Sequence, residues 1–224
     1  MRAARRLAAL VLAASLVGCV ADTEADEPVS RGALSGNAER VIWFHGMQDV
    51  GDLPSYLGVR DAELSVPVAK QRGNSGFYEW GVGEDPWPRE LPSEARIMVS
   101  GFSLGRRAFF NFLKMHPSDR VQRAVLFDPC YAWETYGGKG GFEVVADWLA
   151  GDALREFTYV EGSCSKDHGA SAKFQSMVDG HPDLAPRIRL HKVHGVAHLD
   201  VMPEARACLF GTCGDRVSAG PPQP

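Results

Sequence analysis

The chain has 224 residues, of which 45% are hydrophobic and 23% charged, with a formal net charge of −4. These values are typical of an ordinary globular protein and argue against a disordered or fibrous chain. The basic residues form no long run or stripe, so the sequence lacks the positive surface that a nucleic-acid partner requires.

The N-terminus has the layout of an export signal. Three arginines precede an apolar stretch over residues 7–17, which is too short to span a bilayer as a stable helix. The stretch ends in Leu16-Val17-Gly18-Cys19, which resembles the lipobox of bacterial lipoproteins. The resemblance implies that residues 1–18 are a signal peptide and that Cys19 is lipidated. An ordinary secretory signal with a chance cysteine is the alternative.

The segments on either side of the predicted domain carry no apolar periodicity. Residues 19–39 contain several acidic residues and predict a flexible linker between a lipid anchor and a domain over residues 40–213. Residues 214–224, rich in Pro and Gly, predict a loose C-terminal tail. The lipobox resemblance implies a protein of the cell envelope, held by its anchor at the periplasmic or outer face of a bacterial membrane, and we expect it to be a monomer.

Strands alternate with helical segments along the domain. Apolar runs bounded by turn residues predict strands at 41–44, 96–100, 121–127, 157–160 and 188–193, and a weaker one at 65–69 that Pro67 confines to an edge. Helical spacing predicts helices at 104–116, 141–149 and 171–178. This alternation indicates an α/β three-layer sandwich, with a mainly parallel twisted sheet, helices on both faces and an active site at the carboxyl ends of the strands.

A candidate nucleophile follows the strand at 96–100. Gly101-Phe102-Ser103-Leu104-Gly105 joins that strand to the next helix, so Ser103 lies on a strand-to-helix turn. Glycines are needed there because so sharp a turn brings neighbouring backbones together and strains the serine. A glycine-rich loop with an incidental serine is the alternative.

A serine hydroxyl needs a base to become a good nucleophile, and a carboxylate to orient that base. His198 is the best-placed of seven histidines because it follows both the last predicted strand and Ser103 in chain order. Two acids compete for the third role: Asp167, after the strand at 157–160, and Asp128, at the end of the strand at 121–127. Placement in the fold favours Asp167.

Three motifs together resemble the α/β-hydrolase superfamily over residues 41–213: Phe44-His45-Gly46, the Ser103 pentapeptide and Gly195-Val196-Ala197-His198. The resemblance implies a compact α/β-hydrolase fold with little or no lid. It further implies an oxyanion hole formed by the backbone N–H groups of Met47 and Leu104, and a structural role for His45. Asp167 matches the acid position of most members, whereas Asp128 resembles that of pancreatic-type lipases.

The function that this resemblance implies is a serine hydrolase that cleaves carboxylic esters through an acyl-enzyme, without a metal or other cofactor. Its substrate would be a small-molecule or lipid ester. Two alternatives stay open: an envelope lipoprotein that uses the fold as a non-catalytic binding module, and a thioesterase or peptidase with the same triad.

Four cysteines remain once Cys19 is set aside, and they allow three disulfide pairings. Their spacings match no zinc motif. Cys130 and Cys164 fall on the two loops that carry the competing acids, so a bridge there would stiffen the site. We therefore predict a Cys130–Cys164 disulfide and a Cys208–Cys213 disulfide.

Overall fold

The computed structural model describes residues 39–46, 64–67, 70–71, 78–91, 93, 96–131, 133–210 and 213–217. The expected signal peptide, the expected lipidation site at Cys19, the linker up to residue 38, and Met47 all lie outside the described residues.

Seven strands form one mixed sheet within the described residues. They are β1 (Glu39–Phe44), β2 (Leu64–Ser65), β5 (Arg96–Phe102), β6 (Val121–Phe127), β9 (Glu156–Glu161), β10 (Ile188–Lys192) and β11 (Asp215–Arg216). Their order is β2-β1-β5-β6-β9-β10-β11, and every neighbouring pair is parallel except β10 and β11. Two small antiparallel pairs stand apart: β3 (Lys70–Gln71) with β4 (Tyr78–Glu79), and β7 (Thr135–Tyr136) with β8 (Lys139–Gly140).

Helices connect the strands. They are α1 (Arg106–Met115), α2 (Gly141–Ala150), α3 (Ser163–Asp167), α4 (Ala170–Gly180) and α5 (Val201–Ala205), together with 3₁₀ turns at Ser103–Gly105, Ala185–Arg187, His198–Asp200 and Arg206–Phe210. None of the helices in the described part of the chain combines the length and the apolar character that a bilayer crossing needs.

The sheet is buried on both faces. Ile42 and Phe44 of β1 belong to a core cluster that includes residues of α1, α2 and α4. Their neighbours Val41 and Trp43 belong to a second cluster, which includes Val201 and other residues of α5. Alternate side chains of a strand point to opposite faces, so both faces of this sheet are covered by helices. The α/β class expected from the sequence is confirmed.

Strand ends differ from the sequence prediction where pairing continues past the apolar run. β5 extends two residues beyond 100 because Gly101 and Phe102 pair with Leu126 and Phe127 of β6. β2 lies at the edge of the described sheet and ends before Pro67. Proline has no N–H group to donate to a neighbouring strand, so it does not continue the pairing. Within the tail predicted from residue 214 onward, residues 215–216 form β11 and pair with β10.

The strand order reverses at the carboxyl ends of β1 and β5. β2, the next strand of this sheet along the chain, pairs with one side of β1, and β5 pairs with the other side. Ligand sites in open α/β sheets lie at such a reversal of strand order. His45 and Gly46 follow β1 there, and Ser103 follows β5.

Candidate active site

Ser103 lies on a sharp turn between β5 and α1. Its φ is 53°, in the left-handed region that non-glycine residues rarely adopt. A Cβ added at Gly105 would lie 2.1 Å from the carbonyl oxygen of Phe44, and one at Gly101 would lie 3.0 Å from Cβ of Phe109. The two glycines of the motif therefore allow the turn to pack against β1 and α1. The sequence motif predicted this close approach of neighbouring backbones at the turn.

The loop that follows β1 passes directly beside Ser103. A Cβ on Gly46 would lie only 3.1 Å from Cβ of Ser103. The preceding residue, His45, is buried, and its backbone oxygen accepts a 2.9 Å hydrogen bond from Nε1 of Trp80. His45 is thus part of the packing beneath the loop. Met47, the expected oxyanion donor of this loop, lies outside the described residues.

His198 is hydrogen-bonded to Asp128. Its Nδ1 lies 2.6 Å from Oδ2 of Asp128, and an ionised carboxylate can only accept, so Nδ1 carries the proton and Nε2 is free to accept one. The ring also stacks on Phe102, with centroids 4.7 Å apart. The structure does not bring Asp167, the acid favoured by its placement in the sequence, to His198: Asp167 ends α3 as an exposed residue, and in the described part of the chain it makes no contact with that ring.

Asp128 is fully buried and bound on both oxygens. Besides His198, it accepts backbone N–H groups of Gly162, Cys164 and Ser165 and the hydroxyl of Ser165, at 2.7–3.3 Å. Burial alone would raise the pKa of this carboxyl, but the hydrogen bonds from His198 and Ser165 outweigh burial and lower the pKa. The carboxylate therefore stays ionised at neutral pH.

Both predicted disulfides are present, Cys130–Cys164 and Cys208–Cys213, and the predicted pairing is confirmed. Disulfides of this kind fit an oxidising, exported location. The first bridge joins the loop after β6 to α3, so it covalently links Asp128's own loop to the segment whose N–H groups bind Asp128.

The sulfur of Cys130 contacts the side chains of both Ser103 and His198. Sγ lies 3.9 Å from Oγ of Ser103 and 3.6 Å from Nε2 of His198. Within the residues described, Oγ of Ser103 makes no other polar contact, so no direct hydrogen bond joins it to His198. The predicted serine and histidine thus both contact Sγ of Cys130, and no hydrogen bond joins them directly in the described part of the chain.

Backbone strain is concentrated in this site. Ser103, Asp128 and Tyr131 are the non-glycine residues with positive φ in the described part of the chain, at 53°, 38° and 61°. Each such residue costs about 1–3 kcal/mol unless the surroundings enforce it, and such residues cluster at functional sites.

An aromatic rim borders the site. The ring of Tyr131 contacts Trp133 and His168, with centroids 4.4 and 4.3 Å apart, and Trp133 is 64% exposed. Glu134, just beyond, binds the buried guanidinium of Arg106, which lies one turn after Ser103. This ion pair holds the rim against the start of α1.

A cavity of about 560 Å³ lies on the far side of Trp133. It opens between β7, β8 and the helices α2 and α4, and its lining includes none of Ser103, Asp128 and His198. It is therefore separate from the candidate active site.

No protein-family model matches this chain, and no curated protein matches it.

The sequence did not reveal the second layer of the site. Ser165 supplies two donors to Asp128, and Gly162 leaves room for it, since a Cβ at Gly162 would lie 2.6 Å from Cγ of Asp128. The Gly162-Ser163 turn after a predicted strand was the available signal, but its role depends on the position of Asp128 in the structure.

Proposed function

We propose that this chain is a serine hydrolase of the α/β-hydrolase type that cleaves carboxylic esters, with Ser103 as nucleophile, His198 as base and Asp128 as the orienting acid. The observation that carries the proposal is the 2.6 Å contact between Nδ1 of His198 and Oδ2 of Asp128, beside a serine on a strained strand-to-helix turn. The three residues follow β5, β6 and β10, at one edge of the sheet.

In the first step, Nε2 of His198 takes the hydroxyl proton of Ser103 as Oγ attacks the ester carbonyl carbon. Oγ and Nε2 both contact Sγ of Cys130, so Oγ has to leave the sulfur and approach Nε2 for this transfer. Catalytic hydrogen bonds are often long before substrate binds. Asp128 remains ionised and stabilises the imidazolium that forms.

The tetrahedral intermediate needs donors for its oxyanion. The backbone N–H of Leu104 lies at the start of the 3₁₀ turn that leads into α1, where helical N–H groups lack intrahelical partners. Met47, which lies outside the described residues, is our assignment for the second donor. Each donor contributes about 3 kcal/mol to transition-state stabilisation.

The second half of the reaction reverses the proton transfer. The imidazolium of His198 protonates the departing alcohol, which leaves Ser103 acylated. A water molecule then gives a proton to Nε2 and its oxygen attacks the acyl carbon. As the second intermediate collapses, the imidazolium returns this proton to Oγ, which releases the carboxylic acid and restores both Ser103 and His198.

The exposed rim favours esters with a flat or extended apolar group. Tyr131, which follows Cys130 in the chain, and Trp133 present ring surface to solvent, whereas Tyr136, the third aromatic residue of this segment, is buried in the core. Aromatic faces bind such groups through burial and ring stacking. We also propose that the protein is exported and lipid-anchored through Cys19; the oxidising location that the disulfides fit supports export.

The test of the proposed function is labelling by a fluorophosphonate, which forms a covalent adduct with an activated serine. We expect labelling of the wild type, with the adduct on the peptide that contains Ser103, and none of Ser103→Ala. Ser118→Ala is the matched control because Ser118 precedes β6, at the opposite edge of the sheet. Labelling that survives Ser103→Ala, or a wild type that never reacts, would remove the proposed nucleophile.

A further inference from the structure

Three potential metal ligands meet at the Cys130–Cys164 bridge. The sulfurs of Cys130 and Cys164 and a ring nitrogen of His198 all lie within 4.8 Å of one another. The nitrogen nearest the sulfur of Cys130 is Nε2, at 3.6 Å. Two thiolates and one imidazole form a ligand set that binds zinc and leaves its fourth position open.

The histidine is already oriented as a zinc ligand would be. Histidines that bind zinc usually donate their other ring N–H to a carboxylate, which fixes the tautomer and the ring plane. Nδ1 of His198 makes that hydrogen bond to the buried carboxylate of Asp128, so its Nε2 lone pair faces Sγ of Cys130. This second observation is independent of the clustering of the sulfurs.

The disulfide controls whether these ligands are usable. In the bridge each sulfur is bonded to the other, and neither is a thiolate. A dithiol reductant would supply two electrons and two protons, breaking the S–S bond and becoming a disulfide itself. The two thiols formed would release their protons when they bind a metal.

We propose that the reduced chain binds Zn²⁺ through Cys130, Cys164 and His198, with Asp128 holding the histidine. The metal occupies Nε2, the atom that the serine chemistry needs, and it lies next to Oγ of Ser103. The reduced, metal-bound chain is therefore unable to use His198 as a base. A disulfide oxidant that takes the two electrons of the thiolates, and is itself reduced to a dithiol, re-forms the bridge, releases Zn²⁺ and frees that base. Metal binding itself does not depend on the proposed hydrolase activity.

The probe is Co²⁺, which replaces zinc and absorbs visible light when bound tetrahedrally by thiolates. The full chain is reduced with a dithiol, desalted without oxygen and titrated with Co²⁺, and Zn²⁺ is then added to displace it. We expect one equivalent of Co²⁺ to bind the reduced wild type and none to bind the oxidised form. Ser103→Ala should bind it equally, whatever the outcome of fluorophosphonate labelling.

Variants locate the metal. A second cluster, His191 with Cys208 and Cys213, also brings its ligand atoms within 4.8 Å, which makes it the matched control. We expect the cobalt bands to persist when Cys208 and Cys213 are both changed to Ser, and to vanish when Cys130 and Cys164 are. His198→Gln should weaken binding at least about tenfold.

The proposal is overturned if the pattern of the two double variants is reversed, because the metal then binds the second cluster. It is also overturned if the reduced wild type keeps its native circular dichroism and binds no Co²⁺. If reduction abolishes the native circular dichroism, Co²⁺ or Zn²⁺ must restore it, and failure to do so counts against the proposal equally.

Discussion

Asp128→Asn tests the assignment of the acid. In the wild type Oδ1 accepts three hydrogen bonds, from the N–H groups of Gly162 and Ser165 and the hydroxyl of Ser165. The amide oxygen of asparagine therefore takes the Oδ1 position, and its NH₂ group replaces Oδ2. That NH₂ points at Nδ1 of His198, which must now accept a proton rather than donate one.

The consequence for catalysis is a histidine in the wrong tautomer. When Nδ1 accepts, Nε2 carries the proton and can no longer remove one from Ser103. In serine proteases the equivalent change lowers kcat by about 10⁴-fold, and we expect a loss of the same order here. Asp167→Asn, at an exposed position without contact to His198, should lower kcat by less than about twofold.

Stability should change with a defined pH dependence. The hydrogen bonds lower the pKa of Asp128 in the folded protein, so the ionised carboxylate stabilises the fold at and above the pH where a free aspartate ionises, about pH 4. This contribution is lost as pH falls through the lower, folded-state pKa. The difference in unfolding free energy between wild type and Asp128→Asn should thus be full at pH 7 and shrink below about pH 4.

The assay is steady-state hydrolysis of a p-nitrophenyl ester at neutral pH, with urea unfolding of each variant at pH 7 and pH 3. An Asp128→Asn enzyme within tenfold of wild type, combined with an inactive Asp167→Asn enzyme that remains folded, would refute the assignment. A stability difference that grows on acidification would refute the explanation of the pKa.

Three further predictions concern packing and substrate. Gly105→Ala should lower the free energy of unfolding in urea by about 3 kcal/mol or more, because its Cβ would overlap a backbone carbonyl of β1. Gly180→Ala is the control, and it should leave the free energy of unfolding nearly unchanged because its Cβ meets open space. Ser165→Ala should lower the unfolding free energy by about 2 kcal/mol through loss of its hydrogen bond to a buried carboxylate; an unchanged urea midpoint would contradict this. Trp133→Ala should raise KM for aryl esters about tenfold and leave kcat unchanged, whereas Leu154→Ala, an exposed control in the turn before β9, should change neither.

The sequence predicted the central strands well because they are apolar runs buried on both faces. β6 begins and ends where the pattern placed it, and β9 and β10 agree within one residue at each end. The short strands β7, β8 and β11 were not predicted, because two-residue pairings depend on a partner that tertiary structure supplies.

The carboxylate that contacts His198 could not be predicted from the sequence, because its identity depends on how the chain turns after β9. Gly162 and the first turn of α3 fold back over Asp128 and give it their N–H groups, whereas Asp167 is carried to the exposed end of the same helix. The disulfide pairing was predictable because the sheet makes β6 and β9 neighbours. The contacts of Sγ of Cys130 with Ser103 and His198 depend on the exact positions of these side chains, which a residue pattern does not predict.

The three left-handed residues of the site have a consequence for engineering. A search for more heat-resistant variants would favour glycine or asparagine at Ser103 and Tyr131, since these residues adopt that backbone region most easily. At Asp128 the hydrogen bonds to the carboxylate oppose such a change. Ser103 is the nucleophile that we assign, and Tyr131 belongs to the rim that we propose for substrate binding. Selection for thermal tolerance alone would therefore select against turnover at both positions.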